Sequence, residues 1–445
     1  MPSDRRDFLR LLSAAAALPA IDTPGRSPLI PSPAINFIRE DFPELSQQIS
    51  GQPLVYLDSA ATTLRPRAVI DATSNFYLHD NANPSTATHT LARRSATLYQ
   101  SARQTVAHFI NAHSPEEIVF TRGTTEAINL VAASWCGANL HAGDEILLTI
   151  TEHYSNLIPW RLAAERVGAH LRFLDVDESG VLRLDQLDSL LSRRTKFVAF
   201  SHVSNVLGRI NPAADICQRA HTAGAAVLID AAQSIPHIPV DVQALGCDFL
   251  AFSGHKMLGP MGVGVLWGRK ELLDGLPPYQ GGSNMVHEVA SADAPLQFGD
   301  GGHKFEAGTP NVAGPVGLAV AIQYLESLGR VEIWKREQAL TALALERLHG
   351  IPGLRILGSV HAADRISVFS FTLEKCAPAH IVRALDQLGI AIRVGDLAAL
   401  PLLKRLGVSA AARASCYLYT QPSDIDALVG ALSLVSDLSK TRLTD

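Results

Sequence analysis

Short apolar runs alternate with helical patterns through the first two thirds of the chain. The runs are rich in β-branched and aromatic residues, as expected of parallel strands that are buried on both faces. They occur at 118–121, 146–149, 197–202, 227–230 and 249–253. Because helical patterns separate these runs, the sequence predicts an α/β domain with a mostly parallel sheet and helices on both faces.

After Trp267 this alternation stops, and glycine-rich loops lead into two long helical patterns. Short strands and helices then follow to the C-terminus, which predicts a smaller α+β domain. The strands are expected near 354–357, 367–371 and 391–394, and the helices at 316–328, 330–349, 379–388 and 424–434. We therefore predict a large domain at 36–310, whose N-terminal segment packs partly on the small domain, and a small domain at 311–445.

The first twenty residues have the pattern of an export signal. Arg5 and Arg6 precede a short apolar stretch at 11–18. Paired arginines in this position match the twin-arginine signal, which directs export of folded proteins and is not a membrane anchor. A frayed amphipathic helix is the alternative. We predict a signal peptide at 1–20, a proline-containing linker at 21–35 and a periplasmic location.

Composition narrows the class of protein and the kinds of partner. The chain has 445 residues, of which 47% are hydrophobic and 18% charged, which is typical of a compact folded protein. With a net charge of −5 and no stripe of basic residues, we expect no nucleic-acid partner. No apolar run has the length of a membrane span, and the five cysteines show no CxxC pair, so neither membrane insertion nor a metal site is expected.

Two neighbouring strand patterns end on polar groups that together indicate cofactor chemistry. Asp230 ends the first, and Ser253, His255 and Lys256 end the second. A lysine at the end of an apolar strand loses solvation, which lowers its pKa and frees the amine to form a Schiff base. A carboxylate is the usual partner of a protonated pyridine nitrogen, so these residues together favour pyridoxal 5'-phosphate (PLP) chemistry over a helix cap or a solvated loop.

Through Asp-x-x-Gln at 230–233 and Ser-Gly-His-Lys at 253–256, the chain resembles the class V aminotransferase family of fold-type I PLP enzymes. It is most similar to the cysteine desulfurase and selenocysteine lyase branch, from about residue 42 to about residue 434. The resemblance implies a fold-type I transferase with a seven-stranded sheet in its large domain, PLP as cofactor, and a homodimer. It also implies that Lys256 is the catalytic lysine.

Further residues match the family's site. At 122–126 a glycine and two threonines open a helix, where backbone N–H groups bind anions; a capping box is the structural alternative. In the family, the histidine matching His153 stacks on the cofactor and relays protons, and Thr309 lies on a loop that reaches the neighbouring subunit's phosphate. The implied cofactor-binding residues are Thr124, Thr125, His153, Asn205, Asp230, Gln233, Ser253, His255, Lys256 and Thr309. The implied substrate-binding residues are Asn205, Arg393 and Arg413.

The loop that contains the catalytic nucleophile in the desulfurase branch has a different sequence in this chain. The desulfurase nucleophile lies in Arg-x-Gly-His-His-Cys-Ala-x-Pro, whereas this chain reads Arg-Val-Gly-Asp-Leu-Ala-Ala-Leu-Pro at 393–401. Ala398 takes the place of the cysteine, and Tyr154 stands where a second histidine would follow His153. Since a thiolate is the nucleophile that forms a persulfide, we predict that ordinary cysteine desulfuration is lost.

Three functions remain open. The first is a PLP-dependent enzyme that acts on an amino acid or a peptide-borne amino group by transamination or lyase chemistry; by analogy, it would be an exported tailoring enzyme. Racemisation and decarboxylation belong to the same group. The second is a sulfur or selenium lyase on cysteine sulfinate or selenocysteine. The third is a non-catalytic binding protein of the same fold, which retention of Lys256, Asp230, His153, Gln233 and both arginines argues against.

Overall fold

The computed structural model describes residues 38–85, 88–289, 291, 293 and 295–441. The signal peptide predicted at 1–20 and the linker predicted at 21–35 lie outside these residues. No helix within the described ranges is long and apolar enough to cross a lipid bilayer.

A mostly parallel, seven-stranded sheet forms the centre of the large domain, as the family resemblance implied. Across the sheet, the strands are Ile118–Thr121, Gly264–Gly268, Phe249–Ser253, Ala226–Asp230, Thr195–Ser201, Glu145–Thr149 and His170–Leu174. Gly264–Gly268 runs antiparallel to both of its neighbours, and the other pairings are parallel. The parallel strands therefore bring their carboxyl ends to one edge of the sheet, where open α/β sheets bind ligands.

Both faces of this sheet are covered. Along Ala226–Asp230, Val227 and Ile229 join the hydrophobic core on one face, and Leu228 joins the core on the other, as the two-residue period of a strand requires. The covering helices are Arg67–Asn75, Thr90–Phe109, Thr124–Asn139, Ile158–Val167, Leu187–Leu190, Ala213–Thr222, Val242–Leu245, Lys270–Gly275 and Ala313–Leu328. A small hairpin of Val286–Glu288 and Gln297–Phe298 lies apart from the sheet.

The small domain has its own antiparallel sheet and its own hydrophobic core. The strands in spatial order are Leu354–Ile356, Val368–Leu373, Ala411–Ser415 and Arg393–Gly395. The helices are Arg330–His349, Pro378–Gln387, Leu400–Arg405 and Pro422–Thr441. Arg393 and Arg413 lie directly opposite each other on neighbouring strands, so this sheet brings both predicted substrate-binding arginines to one place.

The N-terminal segment packs on the small domain. After a hairpin of Gln48–Ile49 and Gln52–Pro53, the strand Val55–Tyr56 pairs in parallel with Ile390–Ala391. The helix Ala313–Leu328, just beyond the predicted boundary at residue 310, packs against large-domain helices, and Gly329 separates it from the first small-domain helix. The segment that follows Val55–Tyr56 consequently enters the cleft between the domains.

Candidate active site

A cavity of about 490 Å³ lies at the carboxyl edge of the large sheet and is closed on one side by the small domain. Every predicted site residue except Thr309 lines this cavity. Those residues are Thr124, Thr125, His153, Asn205, Asp230, Gln233, Ser253, His255, Lys256, Arg393 and Arg413. The strand ends thus bring together the groups that the sequence motifs singled out.

Lys256 lines the cavity and is only partly exposed. It follows the strand Phe249–Ser253 on a single helical turn, Gly254–Lys256, where the Gly254 amide donates to Val263 O at 2.9 Å. Burial lowers the pKa of the Lys256 amine to about 8; the carboxylate of Asp230 opposes this shift and the guanidinium of Arg413 adds to it. A large fraction of the amine is therefore neutral, and nucleophilic, slightly above neutral pH.

Asp230 ends the neighbouring strand, and its carboxylate has room for a further donor. Its Oδ1 atom accepts a hydrogen bond from the Ala232 amide at 2.9 Å. Burial raises the pKa of this carboxyl group, while the amide and the Lys256 charge lower it. A buried carboxylate with one backbone donor suits a protonated ring nitrogen as its second partner, because a charged donor would offset the cost of burial.

The start of the helix Thr124–Asn139 also lines the cavity, and hydroxyl groups surround it. The Ser253 hydroxyl lies 2.8 Å from the Thr124 amide and 2.7 Å from its Oγ1, and Thr125 Oγ1 lies 2.7 Å from Ser155 Oγ. The N-cap residue is Gly123, without a side-chain cap, so the threonine hydroxyls are not used as caps. Hydroxyls and backbone amides at a helix N-terminus form an anion site, as expected for the cofactor phosphate.

Glycines allow this anion site to form. A Cβ atom on Gly264 would lie 2.4 Å from the Gly123 Cα atom, so the antiparallel strand can approach the phosphate turn only without a side chain. His255 lies nearby, where burial lowers its pKa to about 4 and the Lys256 charge acts in the same direction. It is therefore a neutral hydrogen-bonding group.

His153 forms part of the wall and is also neutral. Burial lowers its pKa to about 4, and the charges of Lys256 and Arg413 contribute. The Nδ1 atom accepts the Ser155 amide at 3.1 Å, which places the ring proton on Nε2 and fixes the ring orientation. An uncharged, oriented imidazole can stack on an aromatic ring and exchange a proton with a neighbouring group.

Glu152 precedes His153 and is a functional neighbour that motif reasoning passed over. It accepts hydrogen bonds from Thr149 Oγ1 at 2.5 Å, from the Ser201 amide and hydroxyl at 3.1 and 2.7 Å, and from Asn156 Nδ2 at 2.6 Å. Burial raises its pKa to about 7. These bonds tie the strand end before His153 to the neighbouring strand, so Glu152 holds the wall of the cavity in place.

The arginines share one carboxylate, which sequence reasoning missed. Arg393 donates to Asp58 through two nitrogens at 2.5 and 3.3 Å, and Arg413 Nη2 lies 3.6 Å from the same carboxylate. Arg413 also donates to Asn205 O at 3.0 Å, and its buried Nε has no partner among the described residues. One carboxylate between two guanidinium groups leaves a positive charge in excess, which suits the α-carboxylate of an amino acid.

The loop that contains Ala398 closes the small-domain side. Ala398 lines the cavity, and both it and Leu397 have left-handed backbone angles, with φ of 53° and 52°. Tyr154 binds the loop twice: its amide donates to Ala398 O at 2.7 Å, and its hydroxyl donates to Asp396 Oδ2 at 2.7 Å. None of the five cysteines, all in the described part of the chain, lines this cavity.

Thr309 is the predicted site residue that lies elsewhere. It borders a separate cavity of about 350 Å³, and its hydroxyl accepts from Asn83 Nδ2 at 3.3 Å. Within one chain it does not reach the Lys256 cavity. Its predicted contact with a neighbouring subunit's cofactor stays a prediction.

The donor set fits PLP. The hydroxyl-rich helix start suits the phosphate, Asp230 suits the ring nitrogen, and Lys256, which lines the same cavity, would hold the cofactor covalently. The Gln233 side chain donates from Nε2 to Ala60 O at 2.8 Å, but its buried Oε1 atom has no partner among the described residues. A hydrogen-bond donor on the cofactor ring would satisfy this Oε1 atom. When bound, PLP supplies the electron sink that weakens bonds at the substrate Cα.

Comparison with known proteins agrees with this geometry. The sequence profile of the family Aminotransferase class-V matches residues 55–428. The cysteine desulfurase of Synechococcus elongatus is 46% identical over 398 residues, and the match covers 89% of this chain and 63% of that protein's length.

Solved structures show the same fold. The cysteine desulfurase CsdA (S-sulfonic acid) from Escherichia coli superposes with a TM-score of 0.82 at 39% identity, covering 90% of this chain and 98% of that chain. The cystine C-S lyase C-DES, in complex with its reaction product cysteine persulfide, superposes with a TM-score of 0.76 at 25% identity, covering 88% and 99%.

Proposed function

The chain belongs to the class-V aminotransferase family of PLP-dependent enzymes, and from this we propose that it is a lyase acting on a free α-amino acid. In this proposal a substituent leaves the substrate β-carbon without help from a protein thiol. The observation that carries it is the combination of Lys256, Arg413 and neutral His153 around a cavity that Ala398 lines and that no cysteine of the described residues lines.

Arg413 and Lys256 have different roles in the proposed reaction. Arg413, with its excess positive charge, binds the α-carboxylate and thereby directs the Cα–H bond towards Lys256. The Lys256 amine, once free, removes the Cα proton, because its lowered pKa leaves it partly unprotonated. The electron pair of the C–H bond forms a Cα–Cβ double bond, and the β-substituent leaves with its own bonding pair. Water then converts the unsaturated product to an α-keto acid and ammonia.

Cysteine desulfuration is the second candidate, since the Synechococcus and Escherichia coli proteins carry that name. It needs a protein thiolate within reach of the substrate sulfur. Four of the cysteines are buried away from the cavity, and Cys376 is partly buried elsewhere. Burial raises the pKa of Cys376 and Cys416, which further disfavours their thiolates. The cavity therefore favours the lyase reaction.

A panel of amino acids, incubated with the PLP-loaded protein with and without an α-keto acid, tests the proposal. A lyase releases α-keto acid and ammonia from β-substituted amino acids without any added acceptor. Product formation that requires an added α-keto acid would instead show transamination, and the absence of any product or spectral change would contradict amino-acid chemistry altogether. Separating keto acid, ammonia and amino acid products by chromatography gives the answer.

We propose that the chain is exported folded through Arg5 and Arg6, which lie outside the described residues. Replacing both by lysine is expected to trap the protein in the cytoplasm, because the pathway reads the arginine pair itself. Fractionation of cells that express each form measures the location. Unchanged export of the double variant would contradict the signal.

We also propose a homodimer in which Thr309 of each subunit reaches its neighbour's cofactor phosphate. Supporting this, Thr309 lies on a surface-facing loop beside a second cavity instead of in the Lys256 cavity. Thr309→Ala is expected to weaken PLP retention about 10-fold through loss of a hydrogen bond to a charged group. Sedimentation at micromolar concentration and PLP titration measure assembly and retention; a monomer with full cofactor occupancy would contradict the proposal.

A further inference from the structure

Asp396 is a charged group of the cavity wall that has no counter-charge. Its Oδ2 atom accepts the Tyr154 hydroxyl at 2.7 Å, and its Oδ1 atom accepts the Ala398 amide at 3.0 Å. Both donors are uncharged, and no basic side chain of the described residues forms an ion pair with it. The hydrogen bond from Tyr154 and that from Ala398 lower the pKa of Asp396, so the carboxylate is ionised at neutral pH.

The other charges of the cavity are accounted for. Asp58 is shared by Arg393 and Arg413, which leaves one positive charge for the substrate α-carboxylate. Asp230 lies near Lys256 at the end that suits the pyridine nitrogen, and His153 is neutral. Once an amino acid is bound, Asp396 is the charge that remains unmatched.

The loop holds Asp396 in a fixed position. The Asn205 side chain donates to Leu397 O at 2.8 Å, and the Tyr154 amide donates to Ala398 O at 2.7 Å, so the large domain binds the loop at two successive carbonyl groups. The carboxylate therefore needs little reorganisation to receive a ligand, and each carboxylate oxygen can accept a further hydrogen bond. It lies two residues from Ala398, and both line the cavity; in the family that the chain resembles, the position of Ala398 holds the group that attacks the substrate side chain.

We propose that Asp396 forms a subsite for a cationic group, an ammonium or a guanidinium, on the side chain of the substrate. The inference deepens the proposed lyase function and rests on it. The enzyme then prefers a positively charged β-substituent over a neutral one, and rejects a negatively charged one. Because Asp396 is partly exposed to solvent, an ion pair with it favours the cationic substrate by roughly 2- to 5-fold over its neutral counterpart.

Three S-substituted cysteines of similar size test the preference: S-(2-aminoethyl)-L-cysteine, S-propyl-L-cysteine and S-carboxymethyl-L-cysteine. In each reaction the Cβ–S bond breaks, the thiolate leaves with the electron pair and is protonated, and water yields pyruvate and ammonia. The PLP-loaded enzyme is expected to form pyruvate with kcat/KM falling in the order cationic, neutral, anionic. Equal values for all three compounds would overturn the subsite.

Two variants separate charge from loop structure. Asp396→Asn keeps one oxygen acceptor for the Ala398 amide, and its Nδ2 group can donate to the Tyr154 hydroxyl oxygen, but the charge is removed, so the ratio of cationic to neutral kcat/KM is expected to fall to near 1. Tyr154→Phe removes one hydrogen bond and keeps the charge, so the preference should persist. A preference that survives in Asp396→Asn, or that disappears equally in Tyr154→Phe, would overturn the assignment.

A failure of the lyase proposal is distinguishable from a failure of the subsite. If no compound yields pyruvate, the lyase function is wrong, but dissociation constants are still measurable from the change in cofactor absorbance. Tighter binding of the aminoethyl compound than of the propyl compound, lost in Asp396→Asn, would then still support the cationic subsite. Equal binding in the native enzyme would refute it.

Discussion

Mixing the PLP-loaded protein with L-cysteine is expected to change the cofactor absorbance without forming a protein persulfide. The amino and carboxylate groups of cysteine meet the same residues as any α-amino acid, and Ala398 takes no part in binding them. Transfer of sulfur to the protein, however, requires a nucleophile, and a methyl group cannot act as one. Losing a whole covalent step lowers a rate by on the order of 10⁴-fold or more.

The products identify the route that L-cysteine takes. Desulfuration gives alanine and a persulfide, whereas elimination gives pyruvate, ammonia and sulfide from the same substrate. We expect that any sulfide is accompanied by pyruvate and that alanine is nearly absent. Alanine is measured by amino-acid analysis, and persulfide by the mass of one added sulfur atom on a cysteine peptide.

A pair of variants at the same position sharpens this test. Ala398→Cys places a thiol on the cavity wall, and Ala398→Ser is a control of similar size without sulfur. Alanine produced by the cysteine variant alone would show that the missing thiol is what blocks desulfuration. Rapid alanine and persulfide formation by the native protein would instead make it a desulfurase that uses another cysteine.

Several strands could be predicted because buried strands are rich in apolar residues. The strands Ile118–Thr121 and Phe249–Ser253 have the predicted bounds, since both are continuous apolar runs. Two strands of the large sheet were missed. His170–Leu174 is a partly exposed edge strand that contains Arg172, and Gly264–Gly268 lies within a glycine-rich stretch, where strand propensity is weak.

The site residues likewise include some that could be predicted from the sequence and some that could not. Groups at strand ends, such as Asp230 and Lys256, could be predicted because each follows an apolar run and matches a short motif. The pairing of Asp58 with Arg393 joins residues 335 positions apart, and that of Tyr154 with Asp396 joins residues 242 positions apart. Such pairs depend on how the two domains meet, and no local pattern records that. The balance of positive and negative charges in the cavity therefore could not be predicted from the sequence and follows only from the folded structure.

Replacing Lys256 by alanine is expected to abolish the covalent attachment of PLP and nearly all turnover. Lys256 lines the same cavity as Asp230, His153 and the anion site, and in the proposed reaction it also moves the Cα proton. Loss of both roles lowers kcat by on the order of 10⁴-fold or more. Reduction with borohydride followed by peptide mapping measures attachment, and a label on another lysine would show that the site is wrongly assigned.

The pH dependence of cofactor attachment follows from the same residue. Only the neutral amine attacks the PLP carbonyl, and burial lowers the pKa of Lys256 to about 8. The rate at which the apoprotein binds PLP covalently should rise with pH up to about 8 and then level off, whereas a solvent-exposed lysine would still be gaining rate above pH 9. Lys256→Arg is the matched control, because its guanidinium keeps a positive charge at every pH of the experiment and is not a competent nucleophile. A native rate that keeps rising beyond pH 9 would mean that the cavity does not lower the pKa of this amine, and the proton-transfer role argued for Lys256 would lose its basis.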